Sequence, residues 1–277
     1  MKTVLKWAGS KVRIIETLKR HLPDGQRLVE PFAGSCAVMM NTDYPAYLIA
    51  DVNRDLIDMY KLIAQQPAAF IQAAEALFLT GNNEEEYYRL RFAFNSKPVG
   101  DKDRAPLFLY LNRHCFNGLC RYNKKGEFNV PFGKYKKPYF PKAEILAFAE
   151  KAKLATFMCG NYSEALNAAE LGDVVYCDPP YLTESANFTA YYSDAFGHEE
   201  HGRLARSARR LVGRGVPVVV SNSDAGMVKY LFKGFSISEI NAPRSIGAAA
   251  GSIKTAKEII AKLLPAKQLQ EVTANES

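Results

Sequence analysis

Four consecutive residues, Asp178-Pro179-Pro180-Tyr181, combine the groups needed to bind an exocyclic amine. They follow the apolar run Val174–Cys177, which has the composition of a buried strand. Because two prolines cannot continue a β-ladder, the chain must leave the sheet there as a stiff loop. The Asp178 carboxylate and the Pro179 carbonyl could accept both hydrogens of an NH2 group and expose the nitrogen lone pair, while Tyr181 offers a ring for stacking. A cis-proline turn with a surface aspartate and a packing tyrosine is the plainer interpretation.

The elements that would position this loop follow the pattern of an α/β sheet. Strand Leu28–Glu30 breaks into the turn 31–36 and the apolar segment Val38–Met40, which we expect to form the helix of the first crossover. Strand Tyr47–Asp51 ends on a carboxylate that could accept hydrogen bonds from ribose hydroxyls. Capping the next helix is the alternative role, which Asn53 could take instead. Later strands are predicted over Ala155–Cys159, Asp173–Cys177, Val216–Ser221, Phe235–Ile240 and Ile259–Leu264, the last two antiparallel.

A long helical stretch separates the two halves of this sheet. Apolar residues recur at helical spacing from Leu56 to Leu111, without the alternation of a strand. The turn signals Asn117-Gly118 and Lys125-Gly126 follow, so we expect one or two hairpins over Gly118–Tyr135. This stretch is predicted to be an insertion that carries a hairpin.

The predicted organisation has two domains and a tail. A catalytic domain comprises 1–55 and 145–264 and includes an amphipathic helix over Glu199–Val212; the inserted helical domain comprises 56–144. The loop Pro243–Ser252, rich in Gly, Ala and Ser, is expected to be mobile. The polar tail 265–277 is expected to be disordered.

The composition is that of a folded globule, with 48% hydrophobic and 23% charged residues in a chain of 277. No apolar run approaches the roughly 18 residues of a membrane-spanning helix, and the first residues lack the apolar stretch of a signal peptide. The five cysteines form no metal-binding pair of pairs, and their odd number argues against a disulfide framework. We expect no metal, no membrane association and a reduced, cytoplasmic location.

The net charge of +7 is concentrated in one segment. Between Arg113 and Lys142 there are eight lysines or arginines and a single acid, Glu127. Aromatic residues are interleaved with these cations. Although most charge runs are solvated faces, this combination favours a surface that contacts the phosphates of a nucleic acid.

In these motifs the chain resembles the Dam family of DNA adenine-N6 methyltransferases over roughly Leu5 to Leu264. The matching motifs occur in the order of that family. They are Lys6-Trp7-Ala8-Gly9-Ser10-Lys11, Val29-Glu30-Pro31-Phe32-Ala33-Gly34, Asp51-Val52-Asn53, Leu109-Tyr110-Leu111-Asn112-Arg113, Asn117-Gly118-Leu119-Cys120-Arg121-Tyr122-Asn123, Gly126-Glu127-Phe128-Asn129-Val130-Pro131-Phe132-Gly133 and Asp178-Pro179-Pro180-Tyr181.

The resemblance implies a fold and a set of site residues. The fold is α/β, a Rossmann-like sheet that binds S-adenosylmethionine, with an inserted helical DNA-recognition domain whose β-hairpin reads duplex GATC. The residues implied for catalysis are Asp178, Pro179, Pro180 and Tyr181. Those implied for the cofactor are Trp7, Ala8, Gly9, Lys11, Glu30, Phe32, Gly34, Asp51 and Asp178.

The same resemblance implies a DNA-binding set. Base reading would fall to Lys6, Asn117, Leu119 and Arg121, of which Arg121 suits a bidentate contact to guanine. Phe116 stands where the family has a tyrosine and could wedge into the space that the flipped adenine leaves. Phosphate contacts are expected of Arg113, Asn123, Asn129 and Lys134, and Pro131 completes the set.

Two residues depart from the family pattern. Cys36 and Ser10 stand where glycine is expected, and a side chain at Cys36 could crowd the cofactor or point away from it. We therefore expect an active enzyme with weaker cofactor binding.

The implied reaction is direct transfer of the sulfonium methyl group to N6 of a flipped adenine, without a covalent enzyme intermediate. Methylation of cytosine C5 would need a Pro-Cys nucleophile, which the sequence lacks. One alternative is methylation of an amine of cytosine N4 or of RNA, and another is a DNA-binding protein whose cofactor site has decayed. A NAD-dependent oxidoreductase is less favoured, because no G-x-G-x-x-G motif is present. The expected partner is double-stranded DNA, bound by a monomer with no obligatory protein partner.

Overall fold

A computed structural model describes residues 1–182, 196–243, 255–266 and 268 of the chain. It contains seven strands in one sheet. They are β1 (Arg27–Glu30), β2 (Ala46–Asp51), β3 (Ala155–Cys159), β4 (Asp173–Cys177), β5 (Val218–Ser223), β6 (Ser236–Pro243) and β7 (Thr255–Leu263). The helices in the described ranges are α1 (Ile15–Lys19), α2 (Arg54–Gln65), α3 (Pro67–Leu79), α4 (Glu84–Ser96), α5 (Arg104–His114), α6 (Lys142–Ala152), α7 (Tyr162–Asn167), α8 (His198–Gly213) and α9 (Gly226–Leu231).

The sheet has the strand order β3-β2-β1-β4-β5-β7-β6. Strand β1 pairs in parallel with β2 and β4, and β4 pairs in parallel with β5. Strand β7 runs antiparallel to both β5 and β6. Every residue of β4 is buried, as expected for a parallel strand covered on both faces. The α/β fold expected from the sequence is confirmed, including the antiparallel pair at the end of the chain.

Most strand positions predicted from the sequence are confirmed, and the differences have local causes. Strands β3 and β4 have the predicted bounds. Strand β5 begins at Val218 and not at Val216, because Pro217 lacks the N–H group that a ladder position requires. Its carbonyl still accepts a hydrogen bond of 3.0 Å from the N–H of Val175.

The prediction of a helix after the first strand is wrong. Only a 3-10 turn, Met39–Asn41, occupies that position. Val38, Met39 and Met40 are at most 2% exposed, so the apolar run there reflects burial and not the face of a helix. Nearby, Gly34 and Cys36 both have positive φ angles, which an α-helix does not tolerate.

The chain divides into two compact units, each described on its own. The first comprises Met1–Val12, Gly34–Asn41 and Asp51–Cys159, and the second comprises Arg13–Ala33, Thr42–Ala50 and Gly160–Ser277. Helix α6, which spans the domain boundary expected at residue 144, lies within the first unit. The two domains expected from the sequence stay a prediction.

The first unit is built from helices α2 to α6, and the helices expected between Leu56 and Leu111 are present. Helix α5 is buried along its whole length. It begins at Arg104, so Pro106 lies in its first turn. Proline is tolerated there because the N–H groups of the first turn have no intrahelical partners. Arg104 makes a buried ion pair with Asp55 of α2, with 2.6 Å between Nε and Oδ1.

The expected hairpin takes the form of a turn with isolated bridges. Antiparallel bridges join Cys115 to Phe132 and Tyr122 to Phe128. The turn between Tyr122 and Phe128 is closed by a hydrogen bond of 2.9 Å from the N–H of Asn123 to the carbonyl of Glu127.

None of the helices in the described ranges is long and apolar enough to span a membrane. The loop Pro243–Ser252, apart from its first residue, lies outside the described residues, as does most of the tail 265–277.

Candidate active site

The predicted catalytic motif follows β4 directly, beside the end of β1. Val29 of β1 is in register with Val175, so Glu30 and Asp178 both lie at the carboxyl ends of neighbouring strands. The strand order reverses between these two strands, and open α/β sheets bind their ligands at such a point. Glu30 is only 2% exposed, whereas Asp178 is partly exposed. Asp178 is therefore the more accessible of the two carboxylates.

Residues from β5 and β7 hold the end of this loop. The hydroxyl of Tyr181 donates a hydrogen bond of 2.8 Å to Oε2 of Glu258, and the N–H of Leu182 donates one of 3.2 Å to Oδ1 of Asn222. Sequence reasoning missed Glu258 and Asn222. The only local signal was that the buried strand of valines in β5 runs into the polar residues 221–223. Glu258 gave no local signal, because it lies 77 residues from Tyr181.

Phe32, expected near the cofactor, lies in an aromatic cluster of the second unit. Its ring stacks on Tyr162 with 5.2 Å between centroids and meets Phe196 edge-on at 5.4 Å. The Tyr162 hydroxyl donates to Glu200 of α8 at 2.9 Å. The cluster fixes Phe32 directly after β1, so its backbone is held where the turn begins.

Asp51, at the end of β2, has the position expected of a ribose acceptor. Its Oδ2 accepts from the N–H of Gly34 at 3.0 Å and its Oδ1 from the N–H of Asn53 at 2.9 Å. Burial raises the pKa of Asp51, while these backbone N–H groups act in the opposite direction. Asn53 caps α2 by accepting from Leu56, so the capping role falls to Asn53. The N–H of Val52 is a third backbone donor to the Asp51 carboxylate, so much of its acceptor capacity is used within the chain.

Trp7 and Asp51 are brought together around Gly34 in the first unit. Gly34 has a φ of 46°, and a Cβ atom built there would lie 2.7 Å from Nε1 of Trp7. Ala8 and Gly9 are exposed. The Lys11 side chain is buried, and its Nζ donates to the carbonyl of Gly9 at 2.8 Å. Lys11 therefore closes the loop that carries Trp7.

The two departures from the family pattern differ in their surroundings. Ser10 lies 3.0 Å from the hydroxyl of Ser35, so its side chain joins the two loops of the first unit. Cys36 has a φ of 56° and is fully buried. The left-handed backbone there explains why glycine would suit this position.

The residues around Gly34 fit the nucleoside part of S-adenosylmethionine. The Asp51 carboxylate is an acceptor of the kind that ribose hydroxyls require, and the Trp7 ring supplies an aromatic surface. In the second unit, Phe32 and the carboxylate of Glu30 lie at the end of β1.

Replacing Gly34 with alanine is expected to destabilise the protein by about 2–4 kcal/mol, because a left-handed backbone and a clash with Trp7 act together. Urea unfolding followed by Trp7 fluorescence measures this directly, since Trp7 is the single tryptophan. Gly9→Ala is the matched control, because Gly9 also has a positive φ but a Cβ there would meet nothing within 4 Å. Equal losses in both variants would show that the Trp7 ring is not held against Gly34.

Lys6, a predicted base reader, is held by the helices of the first unit. Its N–H donates to Oδ1 of Asn112 at 2.9 Å, and Nδ2 of Asn112 donates back to the Lys6 carbonyl at 2.8 Å. Nδ2 also donates to the carbonyl of Gly118, at 3.1 Å. The ammonium group lies 3.7 Å from the ring centroid of Tyr135. Burial and the nearby Arg113 lower the pKa of Lys6.

Arg121 and Asn129 lie on facing sides of the hairpin. Arg121 Nε donates to Oδ1 of Asn129 at 2.8 Å, and Nη2 donates to the Asn129 carbonyl at 3.3 Å. Asn123 forms the turn, because its Oδ1 accepts from the N–H groups of Lys125 and Glu127. Asn129 and Asn123, predicted to contact phosphates, thus shape the hairpin.

The remaining predicted DNA contacts are mostly accessible. Phe116 is 50% exposed, and Asn117, Pro131 and Lys134 are exposed, while Leu119 is partly exposed. Asn117 and Lys134 have φ angles of 54° and 52°. Asparagine tolerates this left-handed conformation, which turns the chain sharply after Phe116.

Arg113, also predicted to contact phosphates, has a different environment. It is only 7% exposed, and its guanidinium donates to the backbone carbonyls of Thr3 and Val4. Burial lowers its pKa to about 10. The structure therefore gives Arg113 a place in the interior of the first unit, where it binds the chain's own backbone.

Comparisons with known proteins identify the family of the chain. Residues 7–246 match the family described as D12 class N6 adenine-specific DNA methyltransferase. The chain is 53% identical over 262 residues to the Retron Ec67 DNA adenine methylase of Escherichia coli, covering 94% of this chain and 91% of that protein. It is 46% identical over 264 residues to the DNA adenine methylase of Escherichia coli K12, covering 94% and 95%. The chain therefore belongs to the D12 class of N6 adenine-specific DNA methyltransferases.

Proposed function

We propose that this enzyme moves the methyl group of S-adenosylmethionine to N6 of an adenine flipped out of duplex GATC. The observation that carries the proposal is the position of Asp178-Pro179-Pro180-Tyr181 after β4, at the point where the strand order of the sheet reverses. When bound, S-adenosylmethionine supplies a sulfonium methyl group that a neutral amine can take directly.

The chain's own residues then orient the amine. Asp178 and the carbonyl of Pro179 accept the two hydrogens of N6 and turn its lone pair out of the ring plane. That lone pair would attack the methyl group, and the electrons of the C–S bond would leave with the neutral thioether. N6 must also lose a proton, and the Asp178 carboxylate is the acceptor in contact with it. The Tyr181 ring supports the flipped base by stacking, worth about 1–3 kcal/mol.

In the first unit, the residues proposed for the cofactor are Trp7, Asp51 and Gly34, while the roles of Glu30 and Phe32 stay predictions from the family resemblance. Asp51 would accept from a ribose hydroxyl beside the backbone N–H groups that orient its carboxylate. The contacts of Trp7 and Asp51 with Gly34 support the proposal, because residues that are held in advance lose little freedom on binding.

For the sequence GATC we propose that Lys6 and Arg121 read guanine edges, while Phe116 fills the space left by the flipped adenine. The exposed ring of Phe116 and the position of Arg121 in the basic hairpin support these roles. Lys134 is the exposed cation proposed for a phosphate. A monomer acting in the cytoplasm suffices, since it can methylate each strand of a palindrome in turn.

The test is transfer of label from S-adenosylmethionine to unmethylated duplexes that contain GATC, GATG or neither. We expect transfer to GATC alone, with the label in N6-methyladenine. Transfer to another sequence would refute the assignment of the hairpin, and label in N4-methylcytosine would refute the choice of base. DNA binding without any transfer would refute the proposed enzyme and point to the buried Cys36.

A further inference from the structure

The side chain of Tyr181 is held by a strand far away in the sequence. Its hydroxyl donates a hydrogen bond of 2.8 Å to Oε2 of Glu258. Glu258 lies on β7, opposite Ser223 of β5 and Ile240 of β6. Because β7 is hydrogen-bonded on both sides, the acceptor of this bond belongs to the rigid sheet and not to a loop.

The backbone after Tyr181 is held as well. Leu182 donates its N–H to Oδ1 of Asn222 and accepts at its carbonyl from the Ser223 hydroxyl. Asn222 is fully buried, and its Oδ1 also accepts from the N–H of Ser223 at 2.8 Å. Two N–H donors at one oxygen fix the orientation of the amide. With Pro180 on the other side, the main chain at Tyr181 has little freedom.

The chemistry of the Tyr181–Glu258 bond is that of a donor phenol and an acceptor carboxylate. Burial raises the pKa of Tyr181 well above its usual value, and the nearby Asp178, Tyr176 and Glu258 add to the effect. The phenol therefore keeps its proton and donates it. Hydrogen bonds to an ionised acceptor are stronger than neutral ones, so this contact can fix both torsions of the side chain.

We propose that Glu258 is a positioning residue for methyl transfer, which fixes the Tyr181 ring in the orientation on which the target adenine stacks. The inference rests on the proposed function. Without this bond the ring would still lie beside Asp178 but would sample other orientations, so N6 would be aligned for attack less often. Loss of alignment lowers kcat, whereas KM for DNA depends on the separate contacts of the hairpin.

The experiment compares Glu258→Ala, Glu258→Gln, Tyr181→Phe and the double variant Tyr181→Phe/Glu258→Ala on a GATC duplex. Glu258→Ala is expected to lower kcat by about 10-fold, with KM for DNA changed less than about twofold. Glu258→Gln keeps an acceptor oxygen and should recover part of the loss. Because Glu258 acts through the hydroxyl, the double variant should lose no more than Tyr181→Phe alone.

The matched control is Glu239→Ala. Glu239 is on β6, opposite the neighbour of Glu258 in the strand, and it pairs at 2.6 Å with Lys229 on the surface. We expect this variant to keep the kcat of the wild type. Thermal unfolding of every variant identifies any that fails to fold, and if Glu258→Ala fails, Glu258→Gln and Tyr181→Phe carry the test.

A second readout does not depend on turnover. A duplex with 2-aminopurine in place of the target adenine reports the environment of the flipped base. Because stacking on an aromatic ring quenches 2-aminopurine, Glu258→Ala should raise the emission above that of the wild type and of Glu239→Ala. Unchanged kcat, unchanged emission or additive losses in the double variant would each overturn the role of Glu258. If the wild type transfers no methyl group, the proposed function fails. The 2-aminopurine emission then tests by itself whether Glu258 orients the Tyr181 ring.

Discussion

Replacing Asp178 with alanine is expected to lower kcat for methyl transfer by about 10³-fold or more. The variant loses the charged acceptor proposed to orient N6 and to receive its proton. Asp178 follows β4 directly and is held there by the two prolines after it. Affinity for a GATC duplex should stay within about threefold of the wild type, because the residues proposed to bind DNA are those of the hairpin.

The measurement is single-turnover transfer of labelled methyl groups, with fluorescence anisotropy for the affinity. Asp178→Asn is the informative companion, since it keeps one acceptor oxygen and loses the charge. Its kcat should fall between those of the wild type and Asp178→Ala. Turnover by Asp178→Ala at the wild-type rate would remove this loop from the mechanism.

Replacing Arg121 with alanine is expected to cost about 1–3 kcal/mol of discrimination at a single base pair of the site. Its bonds to Asn129 use Nε and one hydrogen of Nη2. Within the part of the chain that the structure describes, Nη1 and the second hydrogen of Nη2 are thus available as two parallel donors, the geometry that reads guanine O6 and N7. Competition between GATC and its single-base variants measures the loss.

Lys125→Ala is the control for that experiment, because Lys125 is an exposed cation of the same hairpin turn. It should weaken binding to every duplex alike and lower the salt dependence by about one charge. Arg121→Ala with the same uniform effect would make Arg121 a phosphate contact. Asn129→Ala should share part of the effect of Arg121→Ala, since it removes the partner that orients the guanidinium.

Local sequence features predicted the α/β fold and the bounds of the strand before Asp178. Strand β4 was found with its observed bounds because burial dictates a continuous apolar run and Pro179 dictates its end. The same argument was wrong for Val38–Met40, since an apolar run indicates burial but not which backbone conformation is buried. Asn53 was correctly named as an alternative cap because capping depends on neighbours three residues away.

Features that depend on tertiary contacts were not accessible from the sequence. Glu258 meets Tyr181 only because β7 pairs with β5. Arg113 was assigned to a phosphate because its charge is visible in the sequence and its burial is not. The sequence did contain one signal of this burial. Apolar residues lie on all sides of α5, and a helix of that kind lies in a protein interior.

The hydrogen bonds of Asn112 have a consequence for the evolution of sequence preference. One buried amide binds both backbone groups of Lys6 and the carbonyl of Gly118, so it couples two segments proposed to meet different bases. A substitution at Asn112 would shift both at once without touching a nucleotide. Libraries that seek new recognition sequences should therefore vary this helix together with the surface residues, because drift in specificity can begin in the protein interior.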